Sequence, residues 1–164
     1  PGAGLPGGGH RPVRPGTRIL VIDDDPGSGR LVTDYLRAMD ATVEWVRDGS
    51  RGLELATSRD FDCIILDLRL PGENGFVVAE KIRKTVPGGG PPIIVTSAYP
   101  EKPNRLRAFK AGVDAFLAKP VDLTELGHLA SSLTARKQEA DMRLAALLTL
   151  ITCLLRERGG SDSP

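Results

Sequence analysis

The chain has 164 residues, 40% of them hydrophobic and 26% charged, a composition typical of one globular domain with some additional sequence. Its 22 Lys and Arg residues against 21 Asp and Glu residues give a net charge of +1. Proteins that bind nucleic acids usually have a basic face whose Lys and Arg residues neutralise phosphates. Because the charges are balanced here, we expect no direct nucleic-acid binding. The longest apolar run, residues 145–155, falls short of the roughly 20 residues that a membrane-spanning helix needs, so we also expect no membrane segment.

The two ends of the chain and its two cysteines offer no candidate functional site. Residues 1–17 contain six glycines and four prolines, which predicts a disordered leader without a secretory signal, and residues 159–164 predict a disordered tail. The two cysteines, Cys63 and Cys153, lie too far apart in sequence for a CxxC metal pair and form no disulfide framework. This usage favours a reducing compartment, and we expect a cytoplasmic protein.

From Arg18 onward, short β-branched apolar runs alternate with stretches of helical period, the pattern of a parallel sheet with crossover helices. Strands are predicted at residues 19–22, 42–46, 63–66, 93–96 and 115–117. Helices are predicted near residues 28–39, 50–58, 75–85 and 104–111, followed by a last helix with a capping box at Asp122 and Glu125. The fold class is therefore α/β, a (βα)5 doubly wound, flavodoxin-like parallel five-stranded sheet over residues 18–133.

The last helix continues past this domain, over residues 134–158, without a glycine or proline. Apolar positions follow one another at the spacings of 4 and 3 that mark the a/d seam of a coiled coil. The predicted seam consists of Leu126, Ala130, Leu133, Lys137, Ala140, Leu144, Leu147, Ile151 and Leu154. We expect an extended C-terminal helix that forms a parallel homodimer. The alternatives are a helix that folds back on its own domain and one that leads into a longer protein.

Polar side chains with complementary chemistry follow four of the predicted strands. Asp23, Asp24 and Asp25 follow the first strand and Asp67 the third, while Ser97 and Lys119 follow the fourth and fifth. The carboxyl ends of parallel strands meet at one edge of a doubly wound sheet, where ligands bind. Clustered carboxylates repel one another unless a cation lies among them, and oxygen ligands suit Mg²⁺. The set predicts a phosphoryl-binding pocket that contains a metal, although each residue by itself has a structural explanation, such as helix capping.

Four segments of the sequence resemble the receiver domain of two-component response regulators. They are RILVIDDD (18–25), IILDLRLPGENG (64–75), IIVTSA (93–98) and AGVDAFLAKP (111–120). The resemblance implies that Asp67 is the phosphoacceptor, with Asp24 a direct Mg²⁺ ligand and Asp23 a ligand through water. It also implies that the backbone carbonyl of Arg69 completes the metal shell.

The resemblance assigns further residues to switching. Ser97, in preference to Thr96, would be the hydroxyl that turns toward the phosphoryl oxygens, and Lys119 would pair with those oxygens. Phe116 matches the aromatic switch position, and the peptide between Lys119 and Pro120 is usually cis in the family.

By the same resemblance, two bulky residues occupy positions that in receiver domains tend to govern how water reaches the acyl phosphate. Arg69 lies two residues after the phosphoacceptor and Tyr99 two after the switch hydroxyl. We expect them to slow self-dephosphorylation.

The function implied is that of a phosphoacceptor signalling domain of a bacterial two-component system rather than an enzyme. It would take a phosphoryl group from a sensor histidine kinase or a His phosphotransfer protein and switch the face of helix four, strand five and helix five. One alternative is a non-phosphorylatable pseudo-receiver acting as a coiled-coil scaffold. A remote one is an aspartyl-phosphate hydrolase, whose usual Thr or Val after the Asp-x-Asp motif is Gly27 here.

Overall fold

The structure, a computed structural model, describes residues 13–159. Five parallel strands form one sheet in the order β2-β1-β3-β4-β5. The strands are β1 (Arg18–Ile22), β2 (Thr42–Val46), β3 (Cys63–Asp67), β4 (Ile93–Ser97) and β5 (Ala115–Ala118). The helices are α1 (Pro26–Ala38), α2 (Gly49–Ser58), α3 (Gly75–Thr85), α4 (Lys102–Lys110) and α5 (Leu123–Gly159). The predicted doubly wound parallel fold is confirmed, and the predicted boundaries of the five strands and the first four helices either coincide with the structure or differ from it by one or two residues.

Alternate residues of each strand contribute to two separate cores. In β1, Ile19 and Val21 pack with α1 and α5, whereas Leu20 and Ile22 pack with α2, α3 and α4. All four side chains are at most 1% exposed. Strands covered on both faces are apolar along most of their length, which explains the continuous apolar runs in the sequence.

Side-chain caps fix where the helices begin. Asp25 accepts a hydrogen bond from the Gly27 N–H at 2.9 Å, and proline follows it at the first helical position of α1. Asn74 caps α3 through the Phe76 N–H at 2.9 Å, and Asp122 accepts from the Glu125 N–H at the start of α5. The resemblance implies that Asp is the more frequent residue at position 74, and the amide oxygen of Asn74 makes this cap in its place.

The sequence analysis did not predict a short antiparallel hairpin that lies between β3 and α3. It pairs Arg69–Leu70 with Glu73–Asn74. The turn between them uses Gly72 at φ 68°, a left-handed conformation that glycine adopts without steric cost. Strands of two residues are too short to produce a periodic pattern.

The described part of the chain includes the last residues of the predicted leader. Residues 1–12 of that leader lie outside the described residues. Val13 is 2% exposed and packs with the α1/α5 core, and the Thr17 hydroxyl donates to the Arg14 carbonyl at 2.7 Å. Residues 13–17, which the prediction places in the leader, therefore contact the domain, while the boundary at residue 17 stays a prediction.

Helix α5 has two parts with different surroundings. Leu126 and Ala130 are fully buried in their own domain, so these two positions of the predicted seam are not available to a partner, and the half-buried Leu133 packs against the same core. That part of the seam prediction is wrong, because burial within one chain produces the same spacing as burial between chains. From residue 139 to 158 every residue is exposed.

None of the helices within residues 13–159 combines the length and apolar character that crossing a membrane requires.

Candidate functional site

The sheet brings the predicted site residues to its carboxyl edge. Asp23 directly follows β1, Asp67 and Ser97 end β3 and β4, and Lys119 directly follows β5. Because β1, β3, β4 and β5 are adjacent and parallel, these four side chains come from one continuous stretch of that edge. Their gathering is a direct result of the topology.

Three carboxylates form an acidic cluster made of Asp23, Asp24 and Asp67. One oxygen from each lies within 4.8 Å of the other two. Asp23 is 3% exposed and Asp67 5%, whereas Asp24 is half-buried. Buried oxygens at this separation suit a small divalent cation such as Mg²⁺, which takes few protein ligands and retains water molecules. The donor set therefore fits the predicted metal, while the carbonyl of Arg69 as a further ligand stays a prediction.

Lys119 bridges the two buried carboxylates of the cluster. Its Nζ donates to Asp67 Oδ2 at 3.0 Å and to Asp23 Oδ2 at 3.1 Å. The peptide between Lys119 and Pro120 is cis, as the resemblance implied. The ammonium thus offsets part of the negative charge that the fold concentrates here.

Burial and neighbouring charges have opposing effects on the pKa values of Asp67 and Lys119. Burial raises the pKa of Asp67, as does the nearby charge of Asp23, and this exceeds the lowering by Lys119 and by the Arg69 N–H. Burial lowers the pKa of Lys119, but its hydrogen bond to Asp67 and the charges of Asp67 and Asp23 outweigh that effect and raise it. A carboxylate with a raised pKa is less hydrated and more reactive toward an electrophile than an exposed one.

Two neighbouring backbone segments, at Arg69 and Gly75, lie directly against Asp67. The Arg69 N–H donates to Asp67 Oδ1 at 3.1 Å, which leaves Oδ2 for Lys119. A Cβ atom at Gly75 would lie 2.6 Å from the Asp67 carbonyl and 2.7 Å from Leu68 Cα. Glycine at position 75 therefore lets α3 begin directly against the backbone of Asp67.

The bulky pair Arg69 and Tyr99 lies in contact across the edge. The Arg69 guanidinium carbon is 4.5 Å from the Tyr99 ring centroid, a cation–π arrangement. The Tyr99 N–H donates to Ser97 Oγ at 3.0 Å, and Ser97 is 3% exposed. The predicted switch hydroxyl is thus held by its own loop, and Thr96, the alternative, is also buried.

Phe116 is buried beneath a residue that sequence analysis did not single out. The Arg105 guanidinium carbon lies 5.2 Å from the Phe116 ring centroid, and Arg105 Nε donates to the Pro100 carbonyl at 3.0 Å. Arg105 therefore connects the aromatic position on β5 with the loop that follows Ser97.

Two further residues of the site, Trp45 and Arg47, come from β2 and the residue just after it. Trp45 Nε1 donates to the Asp23 carbonyl at 2.8 Å, and Arg47 Nη2 donates to the Asp24 carbonyl at 2.9 Å. The one tryptophan of the sequence was the available signal, but only the strand register shows which group it meets.

Comparison with known proteins agrees with this fold. The family model of the response regulator receiver domain matches residues 19–131. A CheY-like receiver domain of Methanospirillum hungatei superposes with a TM-score of 0.71 at 26% identity, covering 76% of this chain and 98% of that one. The receiver domain of the sensor histidine kinase PA1611 of Pseudomonas aeruginosa gives a TM-score of 0.68 at 29% identity, covering 73% and 98%. That structure has a magnesium ion coordinated in its active-site cleft.

Curated relatives include transcriptional regulators. The activator IrlR of Burkholderia pseudomallei is 30% identical over 141 residues, which cover 86% of this chain and 60% of that protein. The DNA-binding dual master regulator RpaA of Synechocystis is 35% identical over 109 residues, covering 66% and 45%. The chain thus spans about half the length of these relatives.

These relatives contradict the expectation of no nucleic-acid binding. One of them is named as a DNA-binding regulator and the other as a transcriptional activator. The expectation rested on the charge balance of the present 164 residues, and a net charge of +1 over a matched region says nothing about the remaining length of such regulators. From its matched sequence, its fold and its acidic edge, the chain belongs to the response regulator receiver domain family.

Proposed function

We propose that this chain accepts a phosphoryl group on Asp67 in a Mg²⁺-dependent reaction. The observation that carries the proposal is the arrangement around Asp67: a buried carboxylate with one oxygen fixed by a backbone N–H and the other bound by Lys119. Asp23 and Asp24 complete an acidic cluster of the kind a divalent cation occupies. A phosphoacceptor carboxylate needs a nucleophilic oxygen, a cation beside it and limited access for water.

The donor is a phosphohistidine, carried by a sensor histidine kinase or a His phosphotransfer protein. Asp67 Oδ2 attacks the phosphorus, a P–O bond forms, and the P–N bond breaks. The imidazole nitrogen of the donor keeps the electron pair of the broken bond, and the product is an acyl phosphate. Mg²⁺, when bound, supplies charge that neutralises phosphoryl oxygens. Lys119 moves from the carboxylate to the transferred group, where its ammonium pairs with a phosphoryl oxygen.

The switch follows from the new acceptor oxygens. Ser97 Oγ accepts a hydrogen bond from the Tyr99 N–H, which leaves its own O–H free to donate to a phosphoryl oxygen, and the hydroxyl turns toward Asp67 to do so. The loop after Ser97 moves with it. Because Arg105 binds that loop at Pro100 and also covers Phe116, the change reaches the surface formed by α4, β5 and α5.

Arg69 and Tyr99 set the lifetime of the acyl phosphate in this proposal. Their stacked side chains lie beside the edge, the Tyr99 N–H binds Ser97 and the Arg69 N–H binds Asp67. A guanidinium packed on an aromatic ring restricts the approach of a water molecule from that side. Hydrolysis is therefore slow.

We further propose that phosphorylation is coupled to a parallel homodimer through the extension of α5, residues 134–158. From residue 139 onward the extension is exposed, and it presents Leu144, Leu147, Ile151 and Leu154, each at least 44% accessible. An apolar stripe of this size on a helix favours burial against a second copy. A dimer constant measured by sedimentation should change when a phosphate mimic is added, and equal constants would contradict the coupling.

The phosphoryl proposal is tested by intact mass after incubation with Mg²⁺ and acetyl phosphate. We expect one phosphoryl adduct that requires Mg²⁺ and is lost in Asp67→Asn. Asp25→Asn is the matched control, because Asp25 is an exposed helix cap adjacent to the acidic cluster. No adduct on the wild type would favour the scaffold alternative, and continuous release of phosphate without an adduct would favour the hydrolase. A cytoplasmic location stays a prediction.

A further inference from the structure

We propose that Trp45 and Arg47 are positioning residues for the acidic loop, which we define as Asp23 and Asp24. The proposal rests on the Mg²⁺ site of the proposed function and adds to it the groups that hold that site in shape. Both residues act on the backbone of the loop rather than on the cation itself. Their contribution is to Mg²⁺ affinity, through the orientation of the two carboxylates.

The contacts are two hydrogen bonds to consecutive carbonyl groups. Trp45 Nε1 reaches the Asp23 carbonyl at 2.8 Å, and Arg47 Nη2 reaches the Asp24 carbonyl at 2.9 Å. The last ladder bond between the two strands is from the Asp23 N–H to the Val46 carbonyl, at 3.1 Å. Beyond it, side chains from the end of β2 replace the missing ladder and fix the next two peptide planes.

The acidic loop needs such support because its own side chains repel. Three carboxylate oxygens lie within 4.8 Å of one another, and Lys119 contacts Asp23 and Asp67. A loop under this repulsion relaxes by turning its peptide groups unless they are fixed. Holding the carbonyls toward β2 keeps the carboxylates directed at the cluster, and this preorganisation lowers the cost of binding a cation.

Helix α1 is shaped to receive the indole. A Cβ atom at Gly29 would lie 2.3 Å from Trp45 Cε2, so any side chain at position 29 would displace the ring. A glycine inside a helix is destabilising relative to alanine, so its presence calls for a structural reason. Gly29 is therefore best explained by the space that Trp45 occupies.

The sign of the Arg47 effect separates positioning from simple electrostatics. A guanidinium bound to the acidic loop carries positive charge close to the cation site. By Coulomb's law alone, removing that charge would strengthen Mg²⁺ binding. If the hydrogen bond to the Asp24 carbonyl dominates, removing Arg47 weakens Mg²⁺ binding instead.

The test is the Mg²⁺ dissociation constant, measured by calorimetry on the full chain for four proteins. We expect Trp45→Phe, which keeps an aromatic ring but removes the N–H, to weaken binding by about tenfold, as is typical for groups that support metal ligands. Arg47→Met should weaken it about threefold, the smaller effect because Arg47 is exposed. Arg59→Met is the matched control, since Arg59 pairs with Glu44 of the same strand at 2.7 Å, and its constant should equal that of the wild type.

A spectroscopic readout keeps the test valid if Trp45→Phe folds poorly. Trp45 is the one tryptophan in the chain, so its emission reports on the indole bonded to Asp23. In Arg47→Met the emission without Mg²⁺ should match the wild type, while the change on adding Mg²⁺ should need higher concentrations. Unchanged or tighter binding in Arg47→Met would overturn the role of Arg47, and unchanged binding in Trp45→Phe that of Trp45. A wild type that binds no Mg²⁺ would overturn the proposed function as well.

Discussion

Replacing Lys119 with methionine isolates the electrostatic role of this residue. The substitution keeps most of the length of the side chain but removes the cation that bridges Asp23 and Asp67 at 3.1 and 3.0 Å. Both carboxylates are then buried without a counterion in Mg²⁺-free buffer. Removing one partner of a buried ion pair typically costs about 3–5 kcal/mol of stability.

Protonation limits the size of this loss. An unpaired carboxylate escapes the penalty by binding a proton, which costs about 4 kcal/mol at pH 7 for an acid of ordinary pKa near 3.9, at about 1.4 kcal/mol per pH unit. The Lys119 side chain is 17% exposed, so the ion pair is not completely buried. We therefore expect a loss of stability at the lower end of the range of about 3–5 kcal/mol. The free energy of unfolding should fall by about 3 kcal/mol at pH 7.

The loss should depend on pH in a definite direction. Burial already raises the pKa of Asp67, and removing Lys119 raises it further. A carboxyl group whose pKa is raised by folding contributes its full stability below the unfolded value, near 3.9, and that contribution is lost as the pH rises through the folded value. The gap between variant and wild type should therefore be small near pH 4 and largest at neutral pH.

Urea denaturation at pH 4 and pH 7, with and without Mg²⁺, measures this gap. Saturating Mg²⁺ should narrow it, since a divalent cation replaces the missing positive charge. Lys137→Met is the control, because Lys137 pairs with Asp141 on the exposed extension and its removal should change stability by less than about 0.5 kcal/mol. An equal loss at both pH values, or no loss at pH 7, would refute the reasoning.

Three more predictions concern other parts of the chain. Arg69→Ala and Tyr99→Ala should each shorten the lifetime of the acyl phosphate, followed by the decay of the intact-mass adduct, and an unchanged half-life would rule out the stacked pair as a barrier to water. Burial raises the pKa of the Cys63 thiol to about 12, whereas Cys153 is exposed, so a thiol reagent at pH 8 should modify one cysteine in the native protein and both in denaturant. Leu147→Asp should shift the sedimentation coefficient to that of a monomer without changing the unfolding midpoint of the domain, because Leu147 is 53% exposed; an intact dimer would disprove the seam.

The sheet and its edge could be predicted because they depend on local sequence properties. Continuous β-branched runs such as residues 63–66 indicate strands buried on both faces, and the polar residues that end them must meet at one edge once the strands are parallel. Side-chain caps were also readable, since Asp25 and Asp122 precede helical periods with the expected spacing.

Contacts that depend on register or on the destination of an apolar face could not be predicted. The indole of Trp45 meets the Asp23 carbonyl because β1 and β2 pair with Val21 opposite Trp45, a register that the sequence does not state. The contact between Arg105 on α4 and Phe116 on β5 depends on how these two elements pack together, which the sequence does not state. Apolar spacing in α5 likewise could not distinguish Leu126, buried in its own domain, from the exposed positions that follow.

Locating the phosphoryl group is the most direct test of the proposal that Asp67 is the acceptor. After incubation with acetyl phosphate and Mg²⁺, borohydride reduction converts an aspartyl phosphate into homoserine, and peptide mass spectrometry identifies the altered position. We predict homoserine at Asp67, dependent on Mg²⁺, with Asp23 and Asp24 unchanged. Homoserine at another aspartate, or none in a protein that binds Mg²⁺, would contradict the assignment.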